Sequence, residues 1–188
     1  MTRVGSRGTA GSRLGRGAKP PANPADGEAA YAAAVRILAR QPQSRAGLEA
    51  RLGRAGYTEE AARAAADRAV EHGYLDDQEY ARSLVRRRSA GRGQALIARE
   101  LRAKGIDDIT VTDALDQVSD DAEYSKALAL ARRIVGSRRP TGYQELLGMV
   151  GPKLSRRGFS SGIIHRVRRE LSAEWAEGPR FDTPSEHD

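Results

Sequence analysis

Leu52-Gly53-Arg54-Ala55-Gly56-Tyr57, Leu101-Arg102-Ala103-Lys104-Gly105-Ile106 and Leu154-Ser155-Arg156-Arg157-Gly158-Phe159 are the stretches on which the fold turns. Each sets a leucine four residues ahead of a glycine and an apolar side chain directly after it. That spacing is a helix stop: the glycine takes the left-handed C′ position, and the next residue folds back on the leucine of the last turn. The matching leucines lie 49 and 53 residues apart, so one structural unit is used three times.

Working outward from the stops, apolar residues recur at helical spacing and the breaks between them carry caps. In the first unit helices are expected at about Glu28 to Ala39, Arg45 to Ala55 and Glu59 to Glu71, with Ser44 and Thr58 as caps and Gly73-Tyr74-Leu75 as the stop. Asp76, with Glu79 at the capping-box position, starts a helix to about Arg88; Arg92-Gly93 opens another to about Lys104. A short helix is expected from Val111 to Val118, with Thr110 and Asp113 as its capping pair. The third unit reads as Ala122 to Val135, Tyr143 to Arg157 and Gly162 to Ser172. Gly148, Gly151 and Pro152 predict a kink or a late start in its middle helix. Leu38, Leu48, Leu52, Val70, Leu84, Val85, Ile97, Leu101, Leu115, Leu128, Ile134, Leu147, Leu154, Ile164 and Leu171 are the expected core. Tyr57, Tyr74, Ile106 and Phe159 read as packing anchors. Trp175 either closes the last helix or lies exposed.

No strand-like alternation is present, so the fold class is all-α: three tandem three-helix repeats in an elongated, curved array. The expected boundaries are 27–73, 74–119 and 120–172, between a disordered basic tail at 1–26 and an acidic C-terminal tail at 173–188. Units of about 50 residues are marginal alone and must lean on one another.

Composition narrows the function. With no cysteine and only three histidines, none in an HExxH or HxH pairing, thiolate chemistry is excluded and no metal site is expected. No apolar run approaches the roughly 20 residues that span a bilayer, and the N-terminus lacks the apolar stretch of a secretory signal, so a cytoplasmic protein without membrane contact is expected. Gly91-Arg92-Gly93 lacks the GK[ST] of a phosphate-binding loop and follows a helix. Asp76 and Asp77 are adjacent and do not face one another as a catalytic pair would. A non-enzymatic protein without cofactor follows.

The run Gly73-Tyr74-Leu75-Asp76-Asp77, then Tyr80-Ala81, Arg86-Arg87-Arg88, Gly91-Arg92-Gly93, Ile97, Glu100-Leu101 and Lys104-Gly105-Ile106 resembles the signature of RecX regulatory proteins. The likeness extends more weakly over about residues 28–172. A monomer is expected, and the likeness implies tandem three-helix repeats, a cytoplasmic protein without cofactor, and binding in the groove of the RecA filament on DNA. There, members chiefly inhibit recombinase, ATPase and co-protease activities, and so regulate homologous recombination and the SOS response. Gly148-Met149-Val150-Gly151-Pro152 and the basic N-terminal tail depart from the pattern.

Charge adds a location. The net charge of +7 divides as +4, +1, 0, +6 and −4 over the five segments, so the third unit is loaded while the second is neutral. Arg132, Arg133, Arg138, Arg139, Lys153, Arg156, Arg157, Arg166, Arg168 and Arg169 are candidates for contact with RecA or with the phosphates of single- or double-stranded DNA. Arg86, Arg87, Arg88 and Arg92 form a second cluster at a helix end and the loop after it, which either complements a helix dipole or reaches acidic groups of the filament or DNA phosphate; Arg99 is a further candidate for RecA or DNA contact. The rival reading is a helix-turn-helix transcription factor, but Glu59 to Glu71, the last helix of the first unit, carries four acids and suits a major groove badly.

Overall fold

The computed structural model describes residues 20–138 and 140–177, the side chains of Arg138 and Glu177 apart. The expected tails at 1–19 and 178–188, and Arg139, lie outside this range. Among the described residues there are nine helices and no strand: α1 (Gly27–Arg40), α2 (Arg45–Arg54), α3 (Glu59–Glu71), α4 (Asp77–Arg88), α5 (Gln94–Ala103), α6 (Asp108–Leu115), α7 (Asp120–Arg138), α8 (Tyr143–Arg156) and α9 (Ser161–Glu177). All the substantial helix packing runs within the triplets α1–α3, α4–α6 and α7–α9, each around its own buried cluster.

The three stops form as the sequence predicts. Gly56, Gly105 and Gly158 have φ of 102°, 78° and 84°. Tyr57, Ile106 and Phe159 each donate a backbone N–H to the carbonyl of Leu52, Leu101 and Leu154 at 3.2 Å, closing the six-to-one bond of a Schellman turn. The three leucines are fully buried, which stabilises each unit by roughly 1.5–3 kcal/mol per side chain. The first unit's core is largely alanine, with Ala30 and Ala34 of α1 against Ala61, Ala65, Ala66 and Ala69 of α3. Such small side chains bury little area each.

Several expectations are corrected. The short helix α6 starts one turn early because Asp107 caps it, accepting from the Thr110 backbone at 2.9 Å and the Thr110 hydroxyl at 2.8 Å. These bonds, the backbone one first, hold the Asp107 carboxyl below its ordinary range. Asp76 caps α4 through Gln78 and Glu79, but the Glu79 carboxylate binds Arg86 instead of completing a capping box. Of the kink or late start expected in α8, the late start does not occur: the helix begins at Tyr143 and runs on through Pro152. Leu146, Val150 and Leu154 lie on one buried stripe, and their packing outweighs the cost of the proline. Val70 is 47% exposed and leaves the expected core; Tyr74, also exposed, is no anchor, and Leu75 is buried in its place. Helix α9 continues past 172 to Glu177 and carries a half-exposed Trp175.

Residues 20–26, assigned above to the N-terminal tail, pack on the first unit. The Pro24 carbonyl accepts from Thr58 at 2.9 Å, and Asp26 caps α1.

Candidate functional site

Consecutive units meet through one joint built twice, in which the N-terminus of a middle helix sits on the glycine stop of the next unit's middle helix. Helix α5 has no side-chain cap of its own. Its capping donors are met by the third unit: Gly93 N–H binds the Arg157 carbonyl at 2.8 Å, Ala95 N–H the Gly158 carbonyl at 3.2 Å, and Gln94 N–H the buried Glu123 carboxylate at 2.9 Å. The C-terminal end of α8 thus faces the N-terminal end of α5, opposite ends of two helix dipoles.

The first and second units repeat this arrangement. Arg45 N–H at the start of α2 donates to Asp77 of α4 at 2.8 Å. The Ser44 hydroxyl accepts from Gly47 and donates to the Lys104 carbonyl at 2.6 Å. Burial pushes the Asp77 carboxyl above its ordinary range, against the lowering effect of the Arg45 N–H bond.

The stop glycines leave no room for a side chain at either joint. A Cβ on Gly105 would lie 2.4 Å from Ala46 Cβ, and one on Gly158 2.4 Å from Leu96 Cβ. Gly93 makes a close backbone approach to the chain's own third unit: a Cβ there would lie 2.3 Å from the Gly158 carbonyl oxygen. At the first stop, Gly56 faces Pro21 and Pro20, so the N-terminal segment occupies the place of a preceding unit.

The candidate cations are held mostly by pairs within their own units, and Arg157 alone of them reaches across a joint through its side chain among the described residues. Arg86 pairs with Glu79 at 2.7 Å and Arg87 binds the Ser83 hydroxyl. Arg88 and Arg92 share Glu100 at 3.0 and 2.5 Å. Arg99 is exposed with no ion-pair partner among the described residues. In the third unit Arg132 pairs with Glu174, a bond that raises the guanidinium further above its ordinary range. Arg166 pairs with Asp121 at 3.1 Å and lies over the Tyr124 ring at 4.3 Å. Arg157 reaches the Gly91 carbonyl at 3.3 Å, bringing together two basic clusters that the sequence separates by 66 residues. Arg156 is exposed, with its Nε on the Pro152 carbonyl. Arg133 and Arg169 are exposed and Lys153 and Arg168 half-buried, all four without ion-pair partners among the described residues. The side chains of Arg138 and Arg139 are outside the described set. The third unit's cations therefore do not form one uniform face: Arg166 points to the start of α7, whereas Arg168 and Arg169 line a groove toward α8.

A cleft of about 570 Å³ at the first joint holds cations absent from the sequence-derived set: Arg51, Arg54, Arg102 and Lys104. Arg102 is tied to Asp108 at 2.6 Å; the other three have no ion-pair partner among the described residues. The repeat alignment carries the signal for all but Arg51, because each stop has a cation between its leucine and its glycine: Arg54, then Arg102 and Lys104, then Arg156 and Arg157.

Among the described residues, no helix is long and apolar enough to cross a membrane, and no group of His, Cys, Asp or Glu converges as a metal site would require.

Comparison with known proteins places this architecture. Residues 30–68 match the family model for the first three-helix domain of RecX, and residues 76–115 that for the second. The chain is 40% identical over 177 residues to a regulatory protein RecX of Thermobifida fusca, covering 88% of this chain and 92% of that one. It is 33% identical over 171 residues to that of Streptomyces coelicolor, covering 90% and 89%. The crystal structure of RecX from Lactobacillus salivarius superposes with a TM-score of 0.73 at 27% identity, over 79% of this chain and 97% of that one. With relatives of this identity spanning nearly their whole length, and with the glycine-stopped triplets the fold displays, the chain belongs to the RecX family of regulatory proteins.

Proposed function

We propose that the chain binds the RecA filament on DNA and restrains its recombinase, ATPase and co-protease activities, as a cytoplasmic monomer without cofactor or catalytic step. The observation that carries this reading is the near full-length identity to regulatory proteins named RecX. The repeated joint supports it physically. It sets cations at successive junctions of the array, Arg51, Arg54 and Lys104 at the first and Arg156 and Arg157 at the second. A partner that itself repeats along an axis can engage such sites together, so that individually weak contacts sum to tight binding. Phosphate contacts contribute a salt-sensitive part of the affinity, and protein contacts the remainder.

The test is RecA's DNA-dependent ATPase in the presence of the purified chain, with a pull-down on RecA with and without single-stranded DNA at two salt concentrations. Inhibition at stoichiometric amounts, with capture enhanced by DNA, is expected. Unchanged ATPase and no capture would defeat the reading.

A further inference from the structure

One groove combines features that phosphate contact alone does not call for. It is about 400 Å³ in volume and lies between α8 and α9, lined by Tyr143, Leu147, His165, Arg168, Arg169 and Ser172, with no acidic side chain in its wall among the described residues. Tyr143 is 39% exposed, yet its ring is not free to swing, because its hydroxyl bonds the Ser172 hydroxyl at 2.6 Å and that in turn donates to the Arg168 carbonyl at 2.7 Å. His165, Arg168, Ser172 and Trp175 recur at intervals of three and four along α9, so they share one face. That face flanks the buried stripe of Ile163, Val167 and Leu171, on the side turned toward α8. Trp175, the chain's single tryptophan, is also 39% exposed. In the groove one exposed, pinned aromatic ring stands beside two guanidinium groups that have no ion-pair partner among the described residues, and Trp175 follows Ser172 by three residues on the same face of α9.

We infer that this groove is a binding site for single-stranded nucleic acid, in which an unpaired base stacks on Tyr143 while Arg168 and Arg169 hold the adjoining phosphates. The inference rests on the preceding proposal that the chain makes phosphate contacts with DNA, and adds the site and the strand state. A pinned, exposed ring beside free cations is what base stacking rewards, since every base presents a π-face and every nucleotide a negative charge. A duplex keeps its bases within the stack and leaves the tyrosine without a partner. An acidic peptide would use the arginines but gain nothing from the ring.

The chain's one tryptophan provides the readout. Full-length protein, without RecA, is titrated with a deoxythymidine oligonucleotide, the abasic oligonucleotide of the same length, a duplex and a poly-glutamate peptide, following Trp175 fluorescence and anisotropy of the labelled strand. Quenching by the thymidine strand is expected. Tyr143→Leu is expected to weaken its binding about tenfold, equivalent to ~1.4 kcal/mol, with the abasic strand and the duplex unaffected. Tyr143→Phe, which keeps the ring and loses the Ser172 bond, should stay within about threefold of the parent. Replacing Arg168 and Arg169 together by Ala should flatten the salt dependence by about 1.4 in slope. A Tyr143→Leu protein of unchanged circular dichroism that binds the thymidine strand as the parent does would overturn the inference, as would equal responses to thymidine and abasic strands. Quenching by poly-glutamate alone would assign the groove to a protein partner instead. A parent chain that binds no DNA but still inhibits RecA would also refute the site while leaving filament regulation intact.

Discussion

Gly93 donates its backbone N–H to the carbonyl of Arg157 over 2.8 Å, and the two backbones lie so close that no side chain fits between them. Gly93 has φ of −77°, a conformation any residue adopts, so its glycine is required by contact and not by backbone geometry.

Gly93→Ala is therefore expected to destabilise the second joint by about 1–3 kcal/mol, as overpacking does, and to expose the connection between α6 and α7 to protease. Gly148→Ala, in the interior of α8 with open space around it, should instead stabilise by about 0.5–1 kcal/mol. Thermal unfolding and limited proteolysis of the two variants distinguish contact from propensity.

Glu123 is 5% exposed and serves as the acceptor for Gln94 N–H. Glu123→Ala leaves a helix donor without its partner and should cost ~1–3 kcal/mol in urea unfolding, whereas Glu123→Gln keeps an acceptor and should cost less. Equal losses in both would assign the effect to packing.

At the other joint the acid is strained by burial. Asp77 has its folded pKa raised above the usual carboxylate value, so the folded state holds the proton more tightly than the unfolded one. Stability from this group is therefore greatest at low pH and declines as pH rises from the unfolded value through the folded one, after which the deficit is constant. Asp77→Asn, which can still accept from Arg45, should equal or exceed the parent's stability at pH 7, and the difference should close below about pH 4. Urea unfolding across pH 3–7 follows it.

The candidate cations separate into two roles. Arg92→Ala removes one of two partners of Glu100, so it should lower stability by ~1 kcal/mol and leave the salt dependence of DNA binding nearly unchanged. Arg133→Ala combined with Arg156→Ala removes exposed charges without ion-pair partners among the described residues. That pair should flatten the salt slope by about 1.4 on single strands with no change in melting temperature. Anisotropy titrations at several salt concentrations, beside thermal melts, measure both.

The sequence by itself determined the helices, their stops and their grouping into three related units. These depend on local bonds: a Schellman turn closes between residues five apart, as from Tyr57 to Leu52, and a cap between residues three apart, as from Gly47 to Ser44. The run from Gly73 to Ile106 also carried the family resemblance that the comparisons bear out. Only the tertiary structure decided what the stops do. That Gly105 and Gly158 are seats for the preceding unit, that Glu123 caps a helix 29 residues away, and that among the described residues Arg132 and Arg166 have ion-pair partners while Arg133 and Arg169 have none, follows from which surfaces meet in space. Charge counts along the chain place cations in a unit; they carry no information on their partners, because an ion pair forms across the packed helices that burial of the apolar stripes brings together.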